Sequence, residues 1–309
     1  MLFKPLPAIH LLKILILEMM KQNIKNMAAL GVLLLLASFT KAQMVINIVN
    51  TNDVIKADSI DNTLFTVQYE TKFTPDTLNP EKIQEETMML KVGKQVSVYY
   101  SYAKYLTDSI IEVDKATGAS MDMIREHLTQ FSAKVSYKVY KNYPAGKITF
   151  QDQLAMNRFI CEENNETPKW QIHPETTTIL SYTCQKATCH FRGRDYEAWF
   201  TMEIPRSEGP WKLNGLPGLI LKAKDSQEHY TFECTGITQS KSNDPIMISK
   251  NNYEPISRKN LNKMYERFAA DPVGYSMASA PNVKIQIHDE SGNAAKAPKN
   301  MPYNPIELD

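Results

Sequence analysis

The sequence predicts an α+β protein whose centre is a curved, mainly antiparallel sheet, with a few helices covering one face. Three observations predict it: apolar and polar residues alternate along successive segments, turn residues separate those segments, and helical spacing occurs in only a few places. An alternation with a period of two is typical of an antiparallel sheet with one buried face and one wet face.

The alternation runs through residues 63–238 and is clearest near its start. Phe65, Val67 and Tyr69 share one face of an extended segment, whereas Gln68 takes the other. The pattern recurs in later segments, which lie at 96–102, 135–139, 196–204, 219–223 and 230–234. Clusters of Gly, Pro, Asp and Ser between several of these segments are typical of tight turns. We therefore expect the sheet to run through residues 63–238.

Helical spacing predicts two helices, near residues 120–131 and 257–270. Ser120 and Ser257 stand at their starts, and serine is a favoured N-cap residue because its hydroxyl accepts from a free backbone N–H. Residues 102–113 are predicted as a further helix. Polar stretches rich in Pro, Asn, Ser and Lys are predicted to be loops, at 239–256 and 289–301.

The N-terminal region predicts export. Lys21 and Lys25 precede an apolar run, residues 27–39, and Thr40-Lys41-Ala42 follows it. A basic region, a short apolar run and small residues before a cut are typical of a secretory signal peptide. A membrane anchor is the alternative, but this run of 13 residues is shorter than the roughly 20 that a membrane span needs.

The expected product of cleavage is one domain. We expect residues 1–42 to be removed as the signal peptide and residues 43–309 to form a single β-rich domain with no membrane span. Its predicted location is the periplasm or the cell exterior.

Composition and motifs exclude several classes of function. The net charge of +1 gives no sign of a polyanion partner, so nucleic acid is not expected. The sequence contains no P-loop, no dinucleotide fingerprint, no nucleophile elbow and no His-Glu-x-x-His motif. We therefore expect no catalytic residues, no enzymatic activity and no cofactor.

The four cysteines are disulfide candidates, because an even number of cysteines in an exported chain is typical of disulfide pairing. They are Cys161, Cys184, Cys189 and Cys234. If residues 177–191 form one strand, Cys184 and Cys189 lie about 16 Å apart at about 3.3 Å per residue, too far for a bridge. Free buried thiols are the alternative.

A group of cysteine and histidine residues leads to a second hypothesis, a metal site. Thiolate and imidazole groups can hold copper(I) or zinc. The residues concerned are Cys184, Cys189, His190, His229 and Cys234. Their spacing fits no standard site, so the first expectation is that no metal is bound.

Six residues are candidates for binding a ligand or partner. Arg192 and Arg194 flank Gly193 and can bind an anion at a hairpin tip, although a solvated turn has the same composition. Trp199 and Trp211 can line a ligand cavity or pack in the core. The apolar Leu216 and Pro217 complete the set as a pocket wall.

Residues 215–220 form a structural motif, composed of Gly215, Leu216, Pro217, Gly218, Leu219 and Ile220. Glycine and proline free or fix the backbone, which suits a turn or bulge leading into a strand. None of the six side chains can ionise, so the segment is predicted to shape the backbone rather than to perform acid–base or nucleophilic chemistry.

The same hexapeptide resembles that of the GLPGLI family, exported proteins of unknown function from Bacteroidota. The segments 178–187, 191–201 and 303–308 are also similar to the family, whereas Ser181 departs from its usual glycine. The resemblance implies a location in the Gram-negative envelope. It supplies no activity and no catalytic residue.

A second resemblance concerns shape alone. Long antiparallel strands with few helices resemble the half-barrel of periplasmic lipoprotein carriers, which enclose an apolar cavity, but a fold does not fix a function. The sequence therefore predicts a non-enzymatic binding or carrier module for an apolar small molecule or an envelope partner protein. A periplasmic metal-handling protein is the alternative, and the oligomeric state stays open.

Overall fold

The computed structural model describes residues 57–241, 243–279, 287 and 295–309. Two compact units are distinguished, of which Ile48–Asn282 with Pro298–Asp309 contains every helix and strand given below. The other unit is Met1–Asn47 with Val283–Ala297. The predicted signal peptide lies outside the described residues, as do residues 289–294 of the predicted loop at 289–301, whose remainder lies outside any helix or strand. The domain boundary at residue 43 stays a prediction.

The described residues form thirteen strands and four helices. The strands are β1 (Asp58–Phe73), β2 (Gln84–Gly93), β3 (Ser97–Ser101), β4 (Lys138–Lys141), β5 (Lys147–Leu154), β6 (Asn157–Asn164), β7 (Gln171–Ile179), β8 (Tyr182–Phe191), β9 (Arg194–Thr201), β10 (Leu219–Asp225), β11 (Tyr230–Gln239), β12 (Pro245–Ile248) and β13 (Glu254–Pro255). The helices are α1 (Tyr102–Thr117), α2 (Met121–Gln130), α3 (Arg258–Ala270) and α4 (Pro272–Ser279). In this part of the chain, none of the helices has the length and apolar character needed to cross a membrane.

The strands form one open, mixed sheet in the order β13-β6-β5-β4-β3-β2-β1-β11-β10-β9-β8-β7. Every pairing is antiparallel except that of β13 with β6. Strand β1 is central: it pairs with β2 on one side, and with β11 and then β12 on the other. The predicted mainly antiparallel sheet is therefore confirmed.

The sheet buries side chains on both faces near β3. Tyr99 belongs to the main core, whereas Val98 and Tyr100 belong to a second, smaller cluster. Neighbouring residues of a strand point to opposite faces, so the two clusters lie on opposite sides of β3. Ile246 and Ile248 of β12 cover the second cluster. The prediction that residues 239–256 form only a loop is wrong, because these two apolar side chains place β12 against the sheet.

The predicted helices near 120–131 and 257–270 and the further helix at 102–113 are all confirmed, but the prediction that the helices cover one face is wrong. Leu261 of α3 is fully buried in the main core. Helix α1, against which α2 packs, places Tyr105 on Tyr100 of the second cluster, with ring centroids 5.7 Å apart. Helices α1 and α3 therefore contact opposite faces of the sheet. Ser120 and Ser257 cap α2 and α3 as predicted.

Residues 215–218 lie outside any helix or strand and lead into β10, as predicted. Gly215 has a positive φ of 93°, a conformation that favours glycine. A Cβ atom on Gly218 would overlap the carbonyl oxygen of Thr201 in the neighbouring strand β9. Leu216, Leu219 and Ile220 are buried. The hexapeptide thus brings two backbones together while its leucine and isoleucine side chains fill the core.

The close approach at Gly218 predicts that a single methyl group is costly there. We expect Gly218→Ala to lower the free energy of unfolding by about 2 kcal/mol or more, because backbone must move to relieve the overlap. Gly236→Ala is the matched control, since a Cβ atom there meets nothing within 4 Å. Urea unfolding followed by circular dichroism measures both. Equal stabilities of the two variants would contradict the interpretation.

Candidate functional site

Arg194, one of the predicted anion-binding residues, is buried and fully engaged. Its Nη1 lies 2.8 Å from Asp225 Oδ2, and the two side chains are 2% and 1% exposed. Its remaining N–H groups donate to Asn304 Oδ1 at 2.8 Å and to the carbonyl oxygens of Pro305 and Ile306 at 2.5 Å and 3.1 Å. The prediction of a ligand-binding hairpin tip is wrong for Arg194, because each of its three guanidinium nitrogens already has a protein partner.

A charge cluster surrounds Lys212, on the loop between β9 and β10. It consists of Glu163, Arg192, Lys212, Arg258 and Glu307. The fully buried Lys212 Nζ contacts Glu163 and lies 2.6 Å from Glu307 Oε1. Arg258 lies 3.2 Å from Glu163, and Arg192 lies 3.7 Å from it. The cluster joins the hexapeptide loop to β6, α3 and the 303–308 segment, so Arg192 also has a structural role.

The charges of this cluster keep its central carboxylate ionised. Burial alone would raise the pKa of Glu163, but the positive charges of Lys212 and Arg258, with a hydrogen bond from Lys212, outweigh burial and hold that pKa below its usual value. A carboxylate with a lowered pKa is a weak base, so the cluster is suited to stabilising the fold rather than to taking a proton.

The aromatic and apolar candidates do not form one binding surface. Trp211 is fully buried and packs on Phe191, with ring centroids 5.9 Å apart. Leu216 is buried beside it in the main core, and Pro217 is exposed. Trp199 is half-buried and carries Lys186 5.8 Å above its ring. Trp211 and Leu216 are therefore core residues, and their prediction as ligand contacts is wrong.

The four disulfide candidates are all free and buried. They belong to the main core, where cysteine packs as a small apolar side chain. Burial raises the pKa of Cys189 to about 12 and the pKa values of Cys184 and Cys234 to about 11, so these thiols are protonated at neutral pH. None of the disulfide pairings is present, and the free-thiol alternative describes this structure. Residues 177–191 are also not one strand, because Leu180 and Ser181 turn the chain between β7 and β8.

The metal hypothesis also lacks the required geometry. Among the described residues, no three His, Cys, Asp or Glu side chains lie close enough to hold a metal ion. His190 is exposed and its Nδ1 lies 2.7 Å from Asp195 Oδ1. Cys184, Cys189 and Cys234 are buried thiols in the core. The five predicted ligands are therefore not brought together.

A buried carboxyl group that the sequence analysis missed joins α3 to the sheet. Asp152 of β5 accepts hydrogen bonds from Ser136 Oγ at 2.5 Å, from the hydroxyl of Tyr265 and from the backbone N–H of Gln153. Burial raises the pKa of Asp152 despite these hydrogen bonds. Because three protein donors occupy its oxygens, Asp152 serves to link helix α3 to strand β5.

The sheet and α1 enclose a groove on the face opposite the main core. Its volume is about 500 Å³, within the range of about 300–1,000 Å³ usual for small-molecule sites. The residues that define this groove are Gln68, Lys91, Tyr100, Tyr105, Gly236 and Asp244. Lys91 Nζ and Asp244 Oδ1 form an ion pair of 2.6 Å in its wall. This groove is the candidate functional site.

The alternation of apolar and polar residues along single strands could not predict this groove. Tyr100 ends the pattern of β3 and Tyr105 begins α1, so their contact depends on the strand-to-helix junction at Ser101. Asp244 lies in a stretch predicted to be a loop. Tyr102 and Tyr105 are three residues apart at the start of a helix, a spacing that lets their rings stack. This spacing is the sequence signal that could have indicated an aromatic surface here.

The comparisons with known proteins concern part of the chain. Residues 191–222 match the model of a family described as a protein of unknown function (Porph_ging). No curated protein matches. A structure titled "Structure of PNGF-II in P21 space group" is similar at 15% identity with a TM-score of 0.44, over 65% of this chain and 32% of that chain. The C2 form of PNGF-II gives 16% identity and a TM-score of 0.41, over 64% of this chain and 31% of that chain.

The chain thus spans 32% of the PNGF-II chain in the first of these matches. The family match covers the Arg192–Arg194 turn, strand β9 and the hexapeptide. The matched residues therefore belong to the part of the fold that contains the buried charges, and none of them lines the groove.

The lowered pKa of Glu163 predicts acid sensitivity. Such a group stabilises the fold above its unfolded-state pKa of about 4.3 and loses that contribution as pH falls through its folded-state pKa. We expect the free energy of unfolding to fall as pH drops below about 5, and Glu163→Gln to be less stable at about pH 6 but less dependent on pH.

Glu162→Gln is the matched control for this prediction. Glu162 is the neighbouring residue, its side chain is 47% exposed, and its partner Lys250 lies 3.2 Å away. Surface pairs of this kind contribute little, so this variant should keep the wild-type pH profile. Urea unfolding at a series of pH values measures both, and an unchanged pH slope in Glu163→Gln would count against the assigned role.

Proposed function

We propose that this chain is a non-enzymatic binding module of the Gram-negative cell envelope, and that it binds its ligand or partner in the groove. The observation that carries the proposal is a concave, partly aromatic site with an ion pair in its wall, away from the main core. The predicted signal peptide and the resemblance of Gly215–Ile220 to the GLPGLI family support an exported product in the periplasm or outside the cell.

The packing favours the groove over an interior cavity. A carrier of the half-barrel type holds its apolar ligand on the concave side of a curved sheet, whereas the main core here is filled by large side chains. Four of the largest are each less than 2% exposed: Tyr69, Tyr99, Tyr196 and Trp211. The dense interior supports a module that binds on its outer face, to a small molecule or to an envelope partner protein.

Gly236 provides a test that leaves the fold intact. It lines the groove, and a Cβ atom there meets nothing within 4 Å, so we expect Gly236→Tyr to be accommodated by the backbone and to place its ring in the groove. The chain is expressed with its own N-terminal region in a Bacteroidota host, recovered from the periplasmic or extracellular fraction, and analysed by native mass spectrometry. We expect a bound mass on the wild type and on Gly236→Ala that Gly236→Tyr lacks.

Two results would contradict the proposal. One is the absence of any additional mass on the exported wild-type protein. The other is a bound mass that Gly236→Tyr retains at the wild-type level, which would place the binding site elsewhere. Recovery of the chain only from the cytoplasm would contradict the envelope location.

A further inference from the structure

The geometry points to an oligosaccharide as the ligand of the groove. This inference rests on the proposed function, since it names the chemical class that the proposed binding site takes. A pyranose ring has apolar C–H faces and a rim of hydroxyl groups that both donate and accept hydrogen bonds. A site for it therefore needs exposed aromatic faces beside uncommitted polar groups.

Stacked tyrosines supply the aromatic faces. Tyr105 lines the groove and stacks on Tyr102, with ring centroids 6.4 Å apart and planes 16° apart. Tyr102 is 42% exposed and Tyr105 is 45% exposed. Tyr100 supports Tyr105 from the floor at 5.7 Å. Large aromatic rings left this exposed, held by a buried third ring, form a rigid platform at the mouth of the groove.

Polar groups without protein partners lie beside this platform. Within the described part of the chain, the side chains of Thr66, Gln68, Thr238 and Gln239 make no hydrogen bond, and all four line the groove. Hydroxyl and amide groups donate and accept, which is what sugar hydroxyls require. Thr66, Gln68 and Thr238 lie on the face of β1 and β11 opposite the main core.

The Lys91–Asp244 pair supplies a charged donor and acceptor. Asp244 Oδ1 lies 2.6 Å from Lys91 Nζ, and its Oδ2 accepts from Ser240 Oγ at 3.1 Å. These two charges balance each other, whereas Lys241, which also lines the groove, adds a positive charge to its wall. An apolar ligand would bury this pair and the neighbouring amides without new hydrogen bonds, at a cost in free energy that sugar hydroxyls offset.

Isothermal titration with four neutral hexasaccharides tests the inference. The probes are cellohexaose, chitohexaose, mannohexaose and xylohexaose. We expect at least one to bind, and Tyr105→Ala to weaken that binding about tenfold through the loss of a stacked ring. Tyr105→Phe keeps the ring and should bind within about threefold of the wild type.

Substitution of Gly236 shows, in the same titration, whether the saccharide binds in the groove or at another surface. We expect Gly236→Tyr to abolish binding of the saccharide, and Leu78→Tyr, at an exposed residue outside the groove, to retain it. Circular dichroism and unfolding midpoints equal to those of the wild type establish that each variant is folded. Binding that survives Gly236→Tyr, or that is unchanged in Tyr105→Ala, would overturn the inference.

The failure of this inference is distinguishable from failure of the proposed function. If none of the four probes binds, the saccharide inference falls. A groove-dependent mass on the exported protein that proves to be a polypeptide or an apolar molecule would also overturn it, while the binding function stands. The absence of any bound mass would remove the proposed function itself.

Discussion

The burial of two positive charges is the constraint on which the rest of this fold depends. Arg194 and Lys212 are almost completely inaccessible, and each is neutralised only when distant parts of the chain come together. A buried charge deprived of its partner costs about 3–5 kcal/mol. The 303–308 segment supplies partners to both, through its carbonyl groups to Arg194 and through Glu307 to Lys212. The sheet and this segment must therefore form together.

Hydrogen bonds between uncharged groups also attach the 303–308 segment to the sheet. The backbone N–H of Leu308 donates to the carbonyl of Arg192 at 3.0 Å. The side chain of Asn304 donates to the carbonyl of Thr74 at 2.8 Å, and Tyr230 donates to the carbonyl of Asn304 at 2.6 Å. The segment thereby fixes the ends of β1, β8 and β11. Because β1 and β11 also form the wall of the groove, the buried charges hold the proposed binding site indirectly.

Local sequence patterns predicted the strands and helices well. The features that they missed depend on contacts between residues far apart in the sequence. The alternation of Val67 and Tyr69 marks β1, and the caps Ser120 and Ser257 mark helix starts, since each signal lies within a few residues of the element it specifies. Arg194 looked like a solvated turn residue because two of its partners lie 110 and 111 residues away. The groove likewise combines residues of β1, β2, β11 and α1, and no local period records that combination.

Removal of residues 303–309 tests whether the buried charges of Arg194 and Lys212 require this segment. We expect the shortened chain to lose cooperative unfolding, or at least about 5 kcal/mol of unfolding free energy, because Arg194 and Lys212 are left buried without enough partners. Removal of Asp309 alone is the control and should change little, since this residue is exposed. Urea unfolding followed by tryptophan fluorescence makes the comparison. Equal unfolding free energies for the shortened and full chains would show that the fold does not depend on the partners that this segment supplies to the two buried charges.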